Sequence, residues 1–459
     1  MTQEPAIAPG DAEPPSLYRG PRGTAIKILN RIERSDSYLD RLLEAEMRAS
    51  EMNDLDKSLL NEIVTGVIRW QMKLDWVLTG FFHGSFTKAE TNIRNALRVA
   101  LYQILFLDKV PHSAAVNESV EFIKRIRGQK VGDLVNAVLR NILRNLDNIR
   151  YPDINEDRIQ HLAVVESHPL WLVRRWVGRF GYDEARRLLA ADNQRPDLTL
   201  RVNRLKIDFN YFLSQLEQHQ IQFSRSEYLD FFVRVKHMAG IGSSEMFRQG
   251  FFVVQDESAG LAVQLLDPKP GDRVIDMCSA PGGKATFIGE LMKNVGEIIA
   301  IDRYETRLNL VKNACQRLGI ANAHFIAADA SSVQIAPAEK VIVDAPCSGL
   351  GVLSKKPDSK WKREPEDLKK LVEIQRGILE NATHHVKPGG ILVYSTCTTE
   401  PEENFNLVKD FNCVHPEFVI ENANQFVNPR VVSPDGYIET FPHNHAMDGS
   451  FAIRLRKTA

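Results

Sequence analysis

Three cysteines sit in short motifs whose neighbours can do chemistry with them. Cys278 opens "CSAPGGK" (278–284), Cys347 lies in "DAPCSG" (344–349) and Cys397 closes "YSTC" (394–397). A thiolate is the most nucleophilic side chain near neutral pH, and it needs an electropositive neighbour to form there. Lys284 is the nearest cation by motif, and Asp344 shares the second motif with Cys347. Each motif follows an apolar run, "RVID", "VIVD" or "ILVYS", that reads as a strand. Neighbouring strands of a parallel sheet end side by side, so two thiols, a carboxylate and an ammonium can meet in one cleft. Cys315 and Cys413 lack such partners and are expected to be inert packing, as, more weakly, is Cys278. Five cysteines without CxxC spacing argue against a disulfide framework and against a zinc site.

The turn formed by Cys278, Ser279, Ala280, Pro281, Gly282, Gly283 and Lys284 has two glycines that let a ligand approach the backbone, and a helical pattern follows at once. It is neither GxGxxG nor a phosphate-cradling P-loop. Asp302 ends the next strand pattern, 20 residues after Gly282, an interval that suits hydrogen bonds to ribose hydroxyls. Asp329, in "AADAS", ends a third strand and can accept from an adenine amino group. Each part has a plainer reading: a tight turn, or an N-cap for the helix "RYETRLNLVKN". Their joint spacing favours an adenosine-type ligand without a pyrophosphate.

One chemistry needs this whole set, namely methylation at carbon 5 of a pyrimidine with S-adenosyl-L-methionine as donor. Carbon 5 is a poor nucleophile until a thiolate adds to carbon 6, and an acid at nitrogen 3 neutralises the charge that develops. Loss of the carbon 5 proton and release of the thiolate complete the turnover, and a second cysteine can assist that release. Chemistry alone leaves Cys347 and Cys397 tied for the attacking role.

The elements that must position these groups fall into regions. With 459 residues the chain exceeds what one core usually organises. Residues 1–22 are rich in proline and are expected to be a disordered tail. From 23 to 150 the pattern is helical: in "LLNEIVTGVIRW" Leu60, Ile63, Val64, Val67 and Ile68 mark one buried face, and breaks fall at "KVPHS" and Gly128. Residues 151–250 read as linker helices and a small α+β segment, with a strand in "DLTLRVNRLKI", a helix in "FNYFLSQLEQHQI" and a strand in "FFVRVKH". From 251 to 459 strands and helices alternate, with strands at 274–277, 297–301, 323–326, 341–343 and 391–394 and helices from Gly283, Glu305 and Pro365. That rhythm predicts a doubly wound, mostly parallel α/β sheet.

Net charge is −1, which by itself points to no nucleic-acid partner. Local charge is more informative. The stretch from Glu121 to Arg150 carries seven Lys and Arg, and "SKKPDSKWKR" (354–363) mixes five with Trp361, a combination suited to phosphate contact and base stacking or, more plainly, to a solvated charged face. No apolar run approaches the ~20 residues of a membrane span, and the start lacks the features of a signal peptide, so a cytoplasmic protein is expected. Nothing in the sequence calls for more than a monomer.

The three motifs, extended to "CSAPGGKAT", "DAPCSGLGVLSKKPDSKW" and "YSTCTTEPEEN", resemble the RsmB/Fmu/NSUN family of RNA 5-methylcytosine methyltransferases. The leading helical region is similar to the NusB-like RNA-binding domain found within that family, and the α+β segment to its small RNA-contacting, RRM-like insertion. The resemblance implies a Rossmann-like methyltransferase domain and small-subunit (16S) ribosomal RNA as partner. It implies that Cys278 to Lys284, with Asp302, Arg307, Asp329 and Asp344, contact S-adenosyl-L-methionine or lie close to it. It also implies that Cys397 attacks the base while Cys347 assists release, with Asp344 and Lys284 beside them. Ser279, Phe287 and Lys356 depart from the family pattern without removing a reacting group.

Two rivals differ in class. A non-catalytic RNA-binding assembly factor would not need Lys284, Asp344, Cys347 and Cys397 together. A protein or small-molecule methyltransferase would need no nucleophilic thiol. A dehydrogenase is disfavoured by the lack of GxGxxG.

Overall fold

The computed structural model describes residues 18–35, 37–236 and 240–458. Most of the expected proline-rich tail lies outside them. A helix already runs over Gly20–Arg34, so the tail as expected overlaps it; Pro21 occupies the first turn, where a missing N–H costs no intrahelical bond. The chain divides into two units, one of residues 1–189 with 356–361, the other of 190–355 with 362–459. This boundary assigns 151–189 to the helical unit, away from the α+β segment with which the sequence grouped it.

In the first unit the helices Leu39–Ala49, Asp54–Arg69, Gln71–Phe81, Thr91–Phe106, His112–Arg127 and Gln129–Arg144 follow the opening one. Their apolar stripes meet in a single core, and Leu60, Ile63, Val64, Val67 and Ile68 are all buried there. Gly128 takes a positive φ of 81° between two helices, which glycine alone adopts without strain. Further helices cover Arg158–Val165, Leu170–Phe180 and Tyr182–Asp192.

The short piece Lys356–Trp361 belongs to this helical unit, and its contacts take Lys360 and Trp361 out of any phosphate-contacting or base-stacking face. Asp358 accepts from the amide of Leu39 at a helix start (3.3 Å). Lys360 is buried and donates to the carbonyl of Arg69 at 3.0 Å, and the Trp361 indole donates to that of Ile68 at 2.7 Å. An acid thus meets a helix N-terminus and two donors meet the carbonyls at a C-terminus, the arrangement that unpaired helix ends favour. Lys355, just before the piece, is also engaged, by Asp256 and Asp448.

The second unit holds two sheets. The smaller has the order β2 (Phe223–Arg225), β3 (Phe232–Val235), β1 (Leu198–Val202), β4 (Phe252–Val254), with the helix Phe209–Gln218 between β1 and β2. The strand expected through His237 ends at Val235, and 237 lies outside the described residues.

The larger sheet contains β5 (Arg273–Asp276), β6 (Glu297–Asp302), β7 (Ala323–Ala327), β8 (Ala338–Asp344) and β9 (Val386–Thr396), all parallel. β10 (Phe418–Glu421), β11 (Ile438–Thr440) and β12 (Ser450–Lys457) add an antiparallel side that the sequence reading did not identify. Along the sheet the order is β10-β12-β9-β8-β5-β6-β7. From β5 the chain winds outward through β6 and β7, then crosses to β8 on the other flank. The switch in strand order therefore falls beside the carboxyl end of β5, where an open α/β sheet leaves a crevice for ligands. Helices start at Gly283, Glu305 and Pro365, as the sequence predicts. No helix among the described residues is long and apolar enough to cross a membrane.

Candidate active site

The glycine turn leaves β5 at that crevice. Gly282 has φ +104°, and a Cβ there would stand 3.1 Å from the Val311 backbone, so both conformation and space demand glycine. The turn is tied down by its own amides: Ser279 donates to the Ile301 carbonyl and Gly282 to that of Ser279, each at 2.7 Å. Asp302 accepts from the amides of Ala280 (3.3 Å) and Tyr304 (3.1 Å). It is not the N-cap of the following helix, a position held by Tyr304. Arg307 donates to the Ala280 carbonyl at 3.1 Å and pairs with Asp302 at 3.4 Å. Asp302 and Arg307 thus brace the turn directly.

Arg201 of β1 buttresses the same turn from the small sheet. Its buried guanidinium donates to the Gly283 carbonyl (2.9 Å) and to Thr286 Oγ1 (3.1 Å), and it pairs with Glu290 at 3.3 Å. Burial lowers its pKa to about 10. No local pattern announces this contact, because strand and turn meet only in the folded chain.

Lys284 joins the turn to the thiols. Its Nζ lies 2.6 Å from Asp344 Oδ2, and Ser395 Oγ donates to Asp344 Oδ1 at 3.0 Å. Burial works against the Lys284 charge, but the Asp344 carboxylate outweighs it and raises the lysine's pKa. The Sγ atoms of Cys347 and Cys397 are 3.3 Å apart. The bond from the Cys347 thiol lowers the pKa of Cys397 against burial and the Asp344 charge, and the Lys284 ammonium adds to that lowering. Cys347 is pushed well up by the same bond and by burial, and the Glu403 carboxylate contributes. The two thiols are therefore unlike: Cys397 is favoured as thiolate, Cys347 as the thiol that donates to it.

Two further acids, not singled out from the sequence, belong to this site. Glu403, from the third motif, accepts from the Ser348 amide (2.8 Å), the Ser348 hydroxyl (2.5 Å) and Gln375 (3.1 Å), and so fixes the Pro-Cys turn. Asp276 ends β5 fully buried, with neither carboxylate oxygen in a hydrogen bond of ordinary geometry. Burial and then the charge of Asp344 raise its pKa to about 7. Its signal was present in the sequence, an acid closing the run "RVID".

Of the expected site residues, Cys278 to Lys284 with Asp302 and Arg307 surround the turn, and Lys284, Asp344, Cys347 and Cys397 form one cluster. Asp329 instead caps its own loop, accepting from the Ser331 amide (3.0 Å) and hydroxyl (2.7 Å), and pairs with Arg303 at 3.7 Å. Cys315 is buried in the core as expected. Cys413 is exposed on the helix Phe405–Val414, which corrects its reading as packing.

Comparison with known proteins bears on all three regions. Residues 263–456 match the family described as 16S rRNA methyltransferase RsmB/F, residues 19–144 the NusB family, and residues 168–241 the ferredoxin-like domain of RsmF/B-like methyltransferases. The chain is 36% identical over 445 residues to the probable ribosomal RNA small subunit methyltransferase B of Bacillus subtilis (strain 168), an alignment covering 95% of this chain and 98% of that one. It is 32% identical over 444 residues to the ribosomal RNA small subunit methyltransferase B of Pectobacterium atrosepticum, covering 95% and 98%. The solved structure of PH0851 matches with a TM-score of 0.80 at 29% identity, covering 96% of this chain and 99% of that one.

Proposed function

The chain belongs to the family of 16S rRNA methyltransferases RsmB/F, and on that footing we propose that it methylates carbon 5 of a cytosine in small-subunit ribosomal RNA through a covalent bond from Cys397. The observation that carries this reading is the thiol pair, 3.3 Å apart, at strand ends that also bring the Lys284–Asp344 ion pair (2.6 Å) into the same cleft. Methylation of an amine or a ribose hydroxyl requires no nucleophilic thiol.

The turn from Cys278 to Lys284 suits S-adenosyl-L-methionine, because it leaves the carboxyl end of β5 beside the switch in strand order and Asp302 and Arg307 hold its shape. When bound, this cofactor supplies an electrophilic methyl group. Cys397 as thiolate adds to carbon 6 of an unstacked cytosine, forming a C–S bond and moving an electron pair toward carbon 5. A proton delivered to ring nitrogen 3 by way of Asp344 neutralises the charge that gathers there. Carbon 5 takes the methyl group and then gives its proton to a water in the cleft, and the electrons of that C–H bond expel the Cys397 sulfur. Cys347 assists this expulsion by donating to the departing thiolate. The helical unit and the small sheet are read as the parts that grip RNA.

Purified protein supplied with S-adenosylmethionine and small-subunit RNA tritiated at cytosine carbon 5 tests the reading. Tritium release in step with methyl transfer is expected. Methyl transfer without release would place the methyl group on another atom and overturn it.

A further inference from the structure

Close to the thiols lies a buried charge cluster to which the reaction above gives no role. Lys355 Nζ donates to Asp256 and, at 2.9 Å, to Asp448 Oδ2. The Asp448 amide closes the triangle by donating to Asp256 Oδ1 at 3.2 Å, and that same oxygen caps the helix Glu257–Leu266 through the Ser258 amide at 2.9 Å. The two carboxylates are about nine-tenths buried. Three separate stretches of chain are thus pinned at one point: the loop after Cys347, the start of a core helix and the residue before Gly449.

A backbone relay connects this point to the thiols. The Gly449 amide donates to the Gly351 carbonyl at 2.8 Å, and the Gly351 amide donates to the carbonyl of Cys397 at 3.1 Å. Gly351 lies between Cys347 and Lys355, and Asp448 directly precedes Gly449. The crossing is too tight for any side chain: a Cβ on Gly351 would fall 1.9 Å from the Gly449 oxygen, and one on Gly449 would stand 3.0 Å from the Gly351 Cα. Beyond the pairing of β8 with β9, this backbone-to-backbone approach ties the loop that follows Cys347 to the strand end of Cys397. A close approach of this kind needs a fixed anchor, and a buried lysine bridging two carboxylates is directional and costly to break.

We propose that Lys355, bridging Asp256 and Asp448, is a positioning residue that holds the Gly351–Gly449 crossing closed and so sets the distance between Cys347 and Cys397. The proposal rests on the reading of these two cysteines as the reacting pair. Lys355 touches neither thiol and acts through the loop that carries Cys347. A misplacement of about 1 Å at a reacting group lowers rate by about a hundredfold, so small movement of this loop is enough.

The test uses the full-length protein and two readouts. Diamide oxidises a neighbouring thiol pair to a disulfide while its N=N bond is reduced to the hydrazine, and the rate at which Cys347 and Cys397 close reports their spacing without any methyl transfer. Single-turnover methyl transfer to RNA reports the chemistry. Lys355→Met is expected to slow both by about tenfold or more, with S-adenosylmethionine affinity unchanged, and Lys355→Arg to restore most of each. Asp448→Asn, which keeps an acceptor for Lys355 and removes its charge, is expected to fall between them and serves where Lys355→Met fails to fold. Closure at the wild-type rate in a folded Lys355→Met or Asp448→Asn protein overturns the proposal. If the thiols close more slowly while Cys397→Ala still methylates, the clamp stands and the assigned chemistry falls.

Discussion

The sulfur of Cys347 stands 3.3 Å from that of Cys397, although fifty positions separate them in the chain. The contact arises because β8 and β9 are parallel neighbours, with Asp344 paired to Ser395, so both thiols emerge from the same end of the sheet. Their environments then differ. Lys284 bears on Cys397 and favours its thiolate, whereas burial and the Glu403 carboxylate raise the pKa of Cys347. Chemistry alone left the two cysteines tied, and this asymmetry favours the same residue as the family resemblance.

Cys347→Ser should trap the enzyme on its substrate. With release impaired, a protein–RNA adduct accumulates and runs as a slow band on a denaturing gel. An inactive Cys347→Ser protein that forms no such band contradicts the release role.

Lys284→Met should move the acid limb of reactivity upward. The Lys284 charge helps hold the Cys397 thiol below its ordinary pKa, so its loss raises that pKa and lowers the thiolate fraction at any pH beneath it. Inactivation by iodoacetamide, followed against pH, is expected to shift toward alkaline pH by about one unit. An unmoved profile would remove Lys284 from the activation of the thiol.

Trp361→Ala should weaken the helical unit and leave cofactor binding intact. The substitution removes the bond to Ile68 and apolar contact with the helical core. The expected loss is about 3 kcal/mol in denaturant unfolding of that unit. Wild-type stability would return residues 354–363 to the exposed, RNA-facing reading.

Asp276→Asn should flatten the dependence of stability on pH. The Asp276 pKa is raised in the folded chain, so the folded state binds the proton more tightly than the unfolded one. Its contribution is full below the unfolded pKa, near 4, and is lost as pH rises through about 7. Urea unfolding of the wild type is therefore expected to show stability falling across that window, and the Asn variant to show less of the fall. Equal slopes would contradict the assignment.

Much of the α/β sheet was legible because the central strands β5, β6 and β8 carry apolar runs closed by Asp, a pattern produced by burial on both faces. The helix starts at Gly283 and Pro365 were equally clear, since each is itself a turn residue, and the start at Glu305 shows in the apolar spacing of "ETRLNLVKN". The antiparallel strands β10 to β12 escaped notice. β10 and β11 are short, and β12, "SFAIRLRK", alternates apolar with basic residues, of which Arg454 is buried against Glu421. Arg201 was missed, and Trp361 was read as a candidate for base stacking, for a related reason. A charged or aromatic residue in a polar run reads as exposed until the carbonyls it will meet are brought from elsewhere in the fold.

The measurement that bears most directly on the central claim is nucleoside mass spectrometry with site mapping of small-subunit ribosomal RNA from cells lacking this protein, complemented by wild type or by Cys397→Ala. The account predicts that one 5-methylcytosine disappears with the protein and returns only with the wild type, while purified Cys397→Ala still binds S-adenosylmethionine. Restoration of that 5-methylcytosine by Cys397→Ala, or an RNA profile that never changes, would contradict it.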